Sequence, residues 1–581
     1  MCGVVFVNSS SVDLVGSINS IKHRGPDNQA VVGKYECQFG HARLSIIDLN
    51  VRSNQPFSFR DKILIFNGEI FNYKEIREEL ITAGYAFETE SDTEVVIKAF
   101  DLWGESCVGR FNGFWTIIIS FKNEFGVNTL FVSRDRFGIK PLYYYLKNDL
   151  LCFASEVKAL REIIGSLELD IDWINNHFTF DNDDNVGTAF KDVHKFPPGS
   201  NSIIDLNNIS VVARKYWSLE KSDNIVSLPS ALEEFSFLLE DSLKLRMRSD
   251  VEVALTLSGG IDSSAIALAC KKNNFNIKAF TSSFPGHNEI DESNYAKIVS
   301  RKCDLDHKFV FPSMENIDSE LDQLIKALER PYTSFSQLVN YFVMKAISDE
   351  GIKVFLNGQG SDEIFLGYDR YFVSYILSGG TDLRKLFFTL KNSDLSLTSL
   401  LSFLFYFGGT SLRSHIYNRR SARIFTGVFT ERNAPYKVNL PFDDLKYQEI
   451  VGYQLQRLLE FDDKISSNFS LEGRPVFLDH RIVEFGYNLD DQLVINKGWN
   501  KYIVRQYLSS NGLPEIAWRR NKLGFPSPND SWLESAYKRN KSAIEKSHFI
   551  SSNFRLERRD SFQKFDKNVL LQVYLMSKCF T

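Results

Sequence analysis

Cys2 follows the initiator methionine directly, so removal of Met1 would leave a thiol on the first residue. An amino-terminal cysteine carries its own base, because an α-amino group of pKa roughly 7.7–8 can take the thiol proton directly or through a water. Alone, a second-position cysteine is more often incidental. Two glycine-rich segments offer a different chemistry: LSGGIDSS at residues 257–264 and LNGQGSDE at residues 356–363. Each follows an apolar strand-like run and precedes a helix pattern, so successive N–H groups would face an anion at a helix amino terminus. Neither is the phosphate loop G-x-x-x-x-G-K-[ST], since no lysine follows the glycines. Read singly, S-G-G-x-D-S is a strand-to-helix turn, Asn67-Gly68 a hairpin turn, and Arg43 a surface cation.

The elements that must position these groups fall into two regimes. Before residue 216, short apolar runs bounded by Gly, Asn or Asp (62–71, 114–121, 129–133 and 151–155) predict strands, interrupted by helices near 73–83 and 92–103, the second with Asp92 as its cap. Strands mixed with few helices predict layered sheets covered by helices. Beyond a polar segment around 217–228, a long helix over 231–248 leads into alternating strands and helices (VEVALTL, IKAFTSSF, HKFVF, IKVFLNG), the rhythm of a doubly wound parallel sheet. On such a sheet the two glycine-rich turns form one crevice, where Asp262 and Asp362 offer hard oxygen ligands that would bridge Mg²⁺ to phosphates. From Asp362 onward the pattern is mostly helical.

Composition removes several alternatives. A length of 581 residues suggests roughly three to four domains, while 43% apolar and 24% charged residues are ordinary for a globular protein. The net charge of −5 gives no electrostatic reason to expect nucleic acid or an anionic membrane. Cysteines at 2, 37, 107, 152, 270, 303 and 579 show no C-x-x-C and no zinc-ligand spacing, which points to free thiols in a reducing compartment. The apolar run 400–407 is too short to span a bilayer and predicts a buried helix. With no basic leader at the amino terminus, the expected location is cytoplasmic. The oligomeric state stays open, a homodimer being among the states allowed.

RGPD (24–27), ARLSIID (42–48), NGEIFN (67–72) and SDTE (91–94) appear in order behind Cys2. In these segments the first 200 residues resemble the class II glutamine amidotransferases, which implies an α+β amino-terminal nucleophile (αββα) glutaminase domain. The resemblance implies that Cys2 is the nucleophile and that Arg43 clamps the α-carboxylate of glutamine, as suits a bidentate guanidinium. It implies that Asp92 pairs with the α-ammonium, with Leu44, Ser45, Ile46, Ile47 and Glu69 completing the glutamine pocket. Asn67 and Gly68 would form the oxyanion hole.

Residues 257–264 resemble the pyrophosphate loop of the ATP pyrophosphatases. With KISSNFSLEGRPVFLDHR (464–481) and AWRRNKLGFPSP (517–528), the chain outside its last ~35 residues resembles the glutamine-dependent asparagine synthetases. This implies an α/β doubly wound parallel-sheet ATP-pyrophosphatase domain with helical additions. Leu257, Ser282, Asn357 and Gly358 would lie near the adenosine or its phosphate. Ser258, Gly259, Gly260, Asp262, Ser263 and Ser264 would hold pyrophosphate, and Asp262 and Asp362 would hold Mg²⁺. Lys464 would stabilise charge as a carboxylate attacks the α-phosphate, its bland alternative being a helix-surface charge.

Two positions depart from the family. Gln359 stands where asparagine-forming enzymes resemble one another in carrying Glu, and glutamine cannot accept a proton. Arg474-Pro475-Val476 replaces the usual Arg-Val-Pro, moving a rigid φ by one residue. The expected domains are 2–216 (glutaminase), 217–228 (linker), 229–545 (synthetase) and 546–581 (a tail of unassigned role). The expected partners are glutamine, ATP and a carboxylate acceptor, with no nucleic acid and no membrane span. Three readings follow: asparagine synthesis from aspartate, amidation of another carboxylate such as a uronic acid or peptide precursor, and a silent regulatory relative.

Overall fold

The computed structural model describes residues 1–180, 185–222, 226–287, 289–313, 317–330, 334–378, 383–393, 395–408, 415–416, 418–419, 442–520, 528–547, 571 and 574–575. Three sheets organise them. Two are six-stranded and antiparallel, built in spatial order from Val193–Lys195, Tyr143–Lys147, Leu150–Ala154, Gly3–Val7, Cys37–Arg43 and Asn28–Lys34, and from Arg214–Lys215, Ser200–Asp205, Asn128–Arg134, Gly113–Lys122, Lys62–Ile70 and Phe57–Phe59. Val4, Phe6 and Phe39 of the first meet Ile63, Ile65, Ile118 and Val132 of the second in a dry layer between the sheets. Burial of each such side chain stabilises by about 1.5–3 kcal/mol. The outer face of the first sheet is covered by helices Val15–Ser20 and Val157–Ile164, and that of the second by Tyr73–Thr82 and Asp92–Trp103.

The third sheet has five parallel strands in the order Asp306–Val310, Lys278–Ser282, Val253–Thr256, Val354–Asn357, Glu472–Pro475. Strand order reverses at Val253–Thr256, and the crevice beyond its carboxyl end is where ligands bind in such sheets. The fifth strand was hidden in the sequence, inside a region read as helical. Among the described residues its only strand neighbour is Val354–Asn357, with Pro475 registered against Asn357. An edge strand tolerates a proline because the missing N–H is not needed, which accommodates the shifted Arg474-Pro475-Val476. Pro475 O accepts from Arg246 Nε at 2.9 Å, and the next N–H, of Val476, donates to Asn357 O at 3.2 Å.

Several expectations need correction. The helix Asp92–Trp103 is capped by Ser91, whose hydroxyl accepts from the Thr93 N–H at 3.1 Å, and Asp92 is its first residue. Asn67 and Gly68 lie within strand Lys62–Ile70, paired with Thr116 and Trp115, so the hairpin turn that the pair alone suggests is not formed. The apolar run 400–407 lies in helix Leu397–Gly408, where Leu400 is buried but Leu401, Leu404 and Phe405 are exposed. The segment expected as a tail contributes Leu571 and Leu575 to the core beneath Phe335 and Trp532. The linker segment is held by Trp217 Nε1 on Glu484 at 3.0 Å and by the Ser222 N–H on Asn488 at 2.6 Å, before the helix Leu228–Arg246 begins. The six described cysteines are free thiols, and Cys579 lies outside the described residues.

Candidate active sites

The strand Gly3–Val7 delivers Cys2 to the edge of the dry layer, beside strand Lys62–Ile70. The Cys2 N–H donates to Asn67 Oδ1 at 3.1 Å, and the thiol lies 3.9 Å from Leu44 O. Asn67 is fully buried, and its Nδ2 has no partner among the described residues. One amide thus holds the nucleophile's backbone with its oxygen and keeps a buried donor in reserve. A buried donor left unpaired costs ~1–3 kcal/mol, a cost that a developing oxyanion would relieve. Gly68 lies so close to its neighbours that a Cβ would stand 2.1 Å from Phe114 O. Burial pushes the Cys2 thiol up, opposed by the amino terminus and by the Leu44 carbonyl contact. With Met1 in place the α-amino group belongs to Met1, whose pKa falls to about 5 through burial.

Arg43 sits at the end of strand Cys37–Arg43 and spends its guanidinium on the loop that follows. It donates to Asn50 O at 2.9 Å, Asn54 Oδ1 at 2.7 Å, Asp48 O at 2.5 Å and Ile47 O at 3.4 Å. It therefore shapes the segment that carries Leu44, Ser45, Ile46 and Ile47, of which Ser45 donates its N–H to Asp27 at 2.7 Å. Across the pocket, Glu69 and Asp92 are both buried. Burial, and the charge of Asp92, push Glu69 well above the carboxylate range; burial pushes Asp92 up to about 6, against the Ile70 N–H that donates to it at 3.0 Å. Arg474 Nη2 donates to Glu69 Oε2 at 3.3 Å.

The second site is a cavity of about 320 Å³ at the carboxyl ends of Val253–Thr256, Lys278–Ser282 and Val354–Asn357. Leu257, Ser258, Gly260, Asp262, Ser263, Ser282, Asn357, Gly358, Gln359 and Asp362 all line it. Gly259 has φ +73°, and a Cβ there would lie 2.5 Å from the Ala296 nitrogen, so the loop needs glycine to pass the helix Ser293–Cys303. Ser264 is fully buried behind the loop, its hydroxyl without a partner among the described residues.

The sequence missed Lys501. Its ammonium lies 2.6 Å from Asp262 Oδ1 and 2.8 Å from Asp362 Oδ1, so the two carboxylates converge on one positive charge. Only its place ahead of a helix pattern hinted at it. Lys464, by contrast, does not line the cavity. It points to the boundary with the first domain, donating to Leu328 O at 2.8 Å and Glu329 at 3.0 Å. The same boundary carries Arg24, wholly buried, whose partners are Cys2 O at 3.0 Å and Glu156 and Asp463 at 2.8 Å each.

Two family models match the chain in succession. A family model described as a glutamine amidotransferase domain matches residues 1–217, and one described as asparagine synthase matches residues 234–574. Asparagine synthetase [glutamine-hydrolyzing] 1 of Bacillus subtilis is 30% identical over 573 residues, spanning 92% of this chain and 88% of that one. Putative asparagine synthetase [glutamine-hydrolyzing] 2 of Methanocaldococcus jannaschii is 31% identical over 379 residues, 61% and 72% of the two chains. Amidase chyE of Penicillium rubens is 32% identical over 389 residues, 62% and 55%. With a glutamine amidotransferase domain ahead of the synthetase domain, the chain belongs to the asparagine synthase family.

Proposed function

We propose that this chain is a glutamine-hydrolysing, ATP-dependent ligase that adenylates a carboxylate and amidates it with nitrogen released at Cys2. Aspartate is the favoured acceptor, giving asparagine, AMP, pyrophosphate and glutamate. The observation that carries the first half is the Asn67 side chain, which accepts the Cys2 N–H through Oδ1 and keeps a buried Nδ2 with no partner among the described residues. The two stacked sheets with helices outside support an amino-terminal nucleophile domain. Domain limits of 2–216, 217–228 and 229–545 accord with the family matches, the second of which runs on into the segment 546–581. Among the described residues no helix is long and apolar enough to cross a membrane, and we infer a cytoplasmic enzyme.

In the glutaminase half-reaction, processing exposes the Cys2 α-amino group, which takes the thiol proton. The sulfur attacks the glutamine amide carbon, and Asn67 Nδ2 and the Gly68 N–H receive the oxyanion. Ammonia leaves with the proton returned by the amine, and water then frees glutamate from the thioester. Glu69 and Asp92 bind the α-ammonium, and Arg43 holds the loop 44–47 and faces the α-carboxylate.

In the synthetase half-reaction the acceptor carboxylate attacks the α-phosphate of ATP. Ser258, Gly259, Gly260, Ser263 and Ser264 receive the departing pyrophosphate at the helix amino terminus. Asp262 and Asp362 fit a hard cation, because both already converge on one ammonium; Mg²⁺ bound there would neutralise phosphate charge. Lys501 supplies a fixed positive charge at the same place. The position of Lys464 supports a role in joining the domains more than contact with ATP.

A second reading rests on Gln359. It lines the cavity and cannot accept a proton, which favours an acceptor other than aspartate, and one relative carries the name amidase. The test is direct: incubation with glutamine, ATP, Mg²⁺ and aspartate, with products identified by mass spectrometry. Asparagine with equimolar AMP is expected. Glutamate without AMP would transfer support to another carboxylate, and neither product would end the reading.

A further inference from the structure

Amide formation releases a proton. As ammonia adds to the acyl carbon, an N–C bond forms, the C–O bond to the adenylate phosphate breaks with its electron pair on AMP, and the nitrogen must lose H⁺. Gln359 cannot take it. Four carboxylates line the large cavity among the described residues: Asp262, Glu292, Asp362 and Asp462. Asp262 and Asp362 share Lys501, and Glu292 is paired with Arg519. Asp462 differs, being held by two neutral amides: Asn357 Nδ2 donates to Oδ2 at 2.7 Å and Asn340 Nδ2 to Oδ1 at 3.4 Å.

Asp462 also lines a second, small cavity of about 10 Å³, room for one water-sized molecule, whose other walls include Met1, Lys140, Leu459, Gly473 and Pro475. Met1, the residue before Cys2, forms part of this wall, so its removal would enlarge the cavity. Asp462 thus lines both the small cavity walled by Met1 and the large cavity. Asn357 ties this carboxylate to the reacting region, because its Oδ1 accepts the Gln359 N–H at 3.2 Å.

We infer that Asp462 is the base of the amidation step, accepting the proton that ammonia loses as it displaces AMP. This rests on the proposed two-step amidotransferase reading. The charged groups facing Asp462 are Asp463 on its own helix and Lys140 from the first domain, while helix Ser336–Asp349 and strand Val354–Asn357 present the neutral Asn340 and Asn357, and strand Glu472–Pro475 presents Gly473 and Pro475. Burial raises its pKa to about 6, opposed by the Asn357 and Asn340 hydrogen bonds, so the carboxylate is ionised at neutral pH and acts as a base there.

The experiment uses the full-length protein with the acceptor that supports AMP formation, and measures glutamine hydrolysis, acceptor-dependent ATP–pyrophosphate exchange and amide formation separately. For Asp462→Asn we expect amide formation to fall at least about 100-fold, the scale of a lost general base, with exchange changing far less. Asp462→Asn/Gln359→Glu should recover at least 10-fold of the loss, because it returns a carboxylate to the same cavity. With ammonia as donor and rates referred to the unprotonated form, wild-type amide formation should fall on the acid side of about pH 6. Wild-type amide rates in Asp462→Asn, or a wild-type profile without an acid limb, would overturn the inference. The wild-type profile decides the matter even if a variant does not fold. Absence of pyrophosphate exchange in the wild type would instead count against the two-step reading itself.

Discussion

Arg24 of the first domain and Asp463 of the second form an ion pair of 2.8 Å in which neither side chain has more than 2% exposure. The same guanidinium holds Glu156 at 2.8 Å and the Cys2 carbonyl at 3.0 Å. The nucleophile, the domain boundary and the helix Tyr453–Ser467 that carries Asp462 are thus fixed by one side chain. Arg474 works from the other side. It binds the carbonyls of Arg246 and Arg248 at 2.7 Å and reaches Glu69 in the glutamine pocket at 3.3 Å.

Replacing Arg24 by Met would leave Glu156 and Asp463 enclosed without this cation. Breaking a buried pair by removing one partner costs ~3–5 kcal/mol, so the urea midpoint should fall clearly. Because Arg24 also orients Cys2, the variant should release glutamate in excess of AMP, whereas the wild type should stay near one to one. A destabilised variant that still couples the two products one to one would show that the pair serves stability alone.

Cys2→Ala should abolish glutamine use and leave ammonia-dependent amidation intact, because among the described residues the large cavity contains no part of the thiol site. Asn67→Ala should lower glutaminase kcat by ~10²–10³, the loss seen when one oxyanion donor is removed, with ammonia-dependent activity kept. Both are read by following glutamate and AMP separately. Failure of ammonia to rescue either variant would contradict two separable sites.

Much of this was legible in the sequence, for a physical reason. Cys2, Asn67, Gly68, Asp92 and the loop 257–264 sit in local motifs, where backbone turns and strand ends dictate residue type at fixed spacing. Lys501 and Asp462 were not legible, since each acquires its role from partners more than 100 positions away: Asp262 and Asp362 for the first, Asn357 and Asn340 for the second. The strand Glu472–Pro475 was lost because Glu-Gly-Arg-Pro has no apolar run, unlike the equally short Val253–Thr256 and Val354–Asn357, and its identity comes from pairing with Val354–Asn357. Lys464 was read as facing ATP from its motif alone, but the direction of its side chain is set by Glu329 and Leu328, more than 100 positions away in the same domain.

Gly259→Ala should cripple ATP use without touching the glutaminase. The added Cβ would fall 2.5 Å from the Ala296 nitrogen and 2.8 Å from the Tyr295 carbonyl carbon, at a φ of +73° that alanine rarely adopts. The loop must shift, and its N–H groups leave the positions that face phosphate. The KM for ATP in pyrophosphate exchange should rise at least 10-fold, with glutamine hydrolysis within twofold of wild type. Unchanged exchange would place pyrophosphate elsewhere.

Asp92 makes the pH dependence of the first domain predictable in sign. Its pKa rises from the usual 3.8 to about 6, chiefly by burial. Between those values the folded, ligand-free protein keeps a proton that the unfolded chain has released, so the contribution of Asp92 to stability falls as pH rises through that window. A shift of that size corresponds to ~3 kcal/mol at most. Asp92→Asn removes the titration, so the stability of the variant relative to wild type should rise between pH 4 and 6 and level off above, as read from urea midpoints. Glutamine has the opposite dependence, because its α-ammonium needs the ionised carboxylate. The KM for glutamine in the wild type should therefore fall as pH rises through about 6, and in Asp92→Asn it should be high and nearly flat. A wild-type KM that rises over that interval would remove Asp92 from the ammonium site.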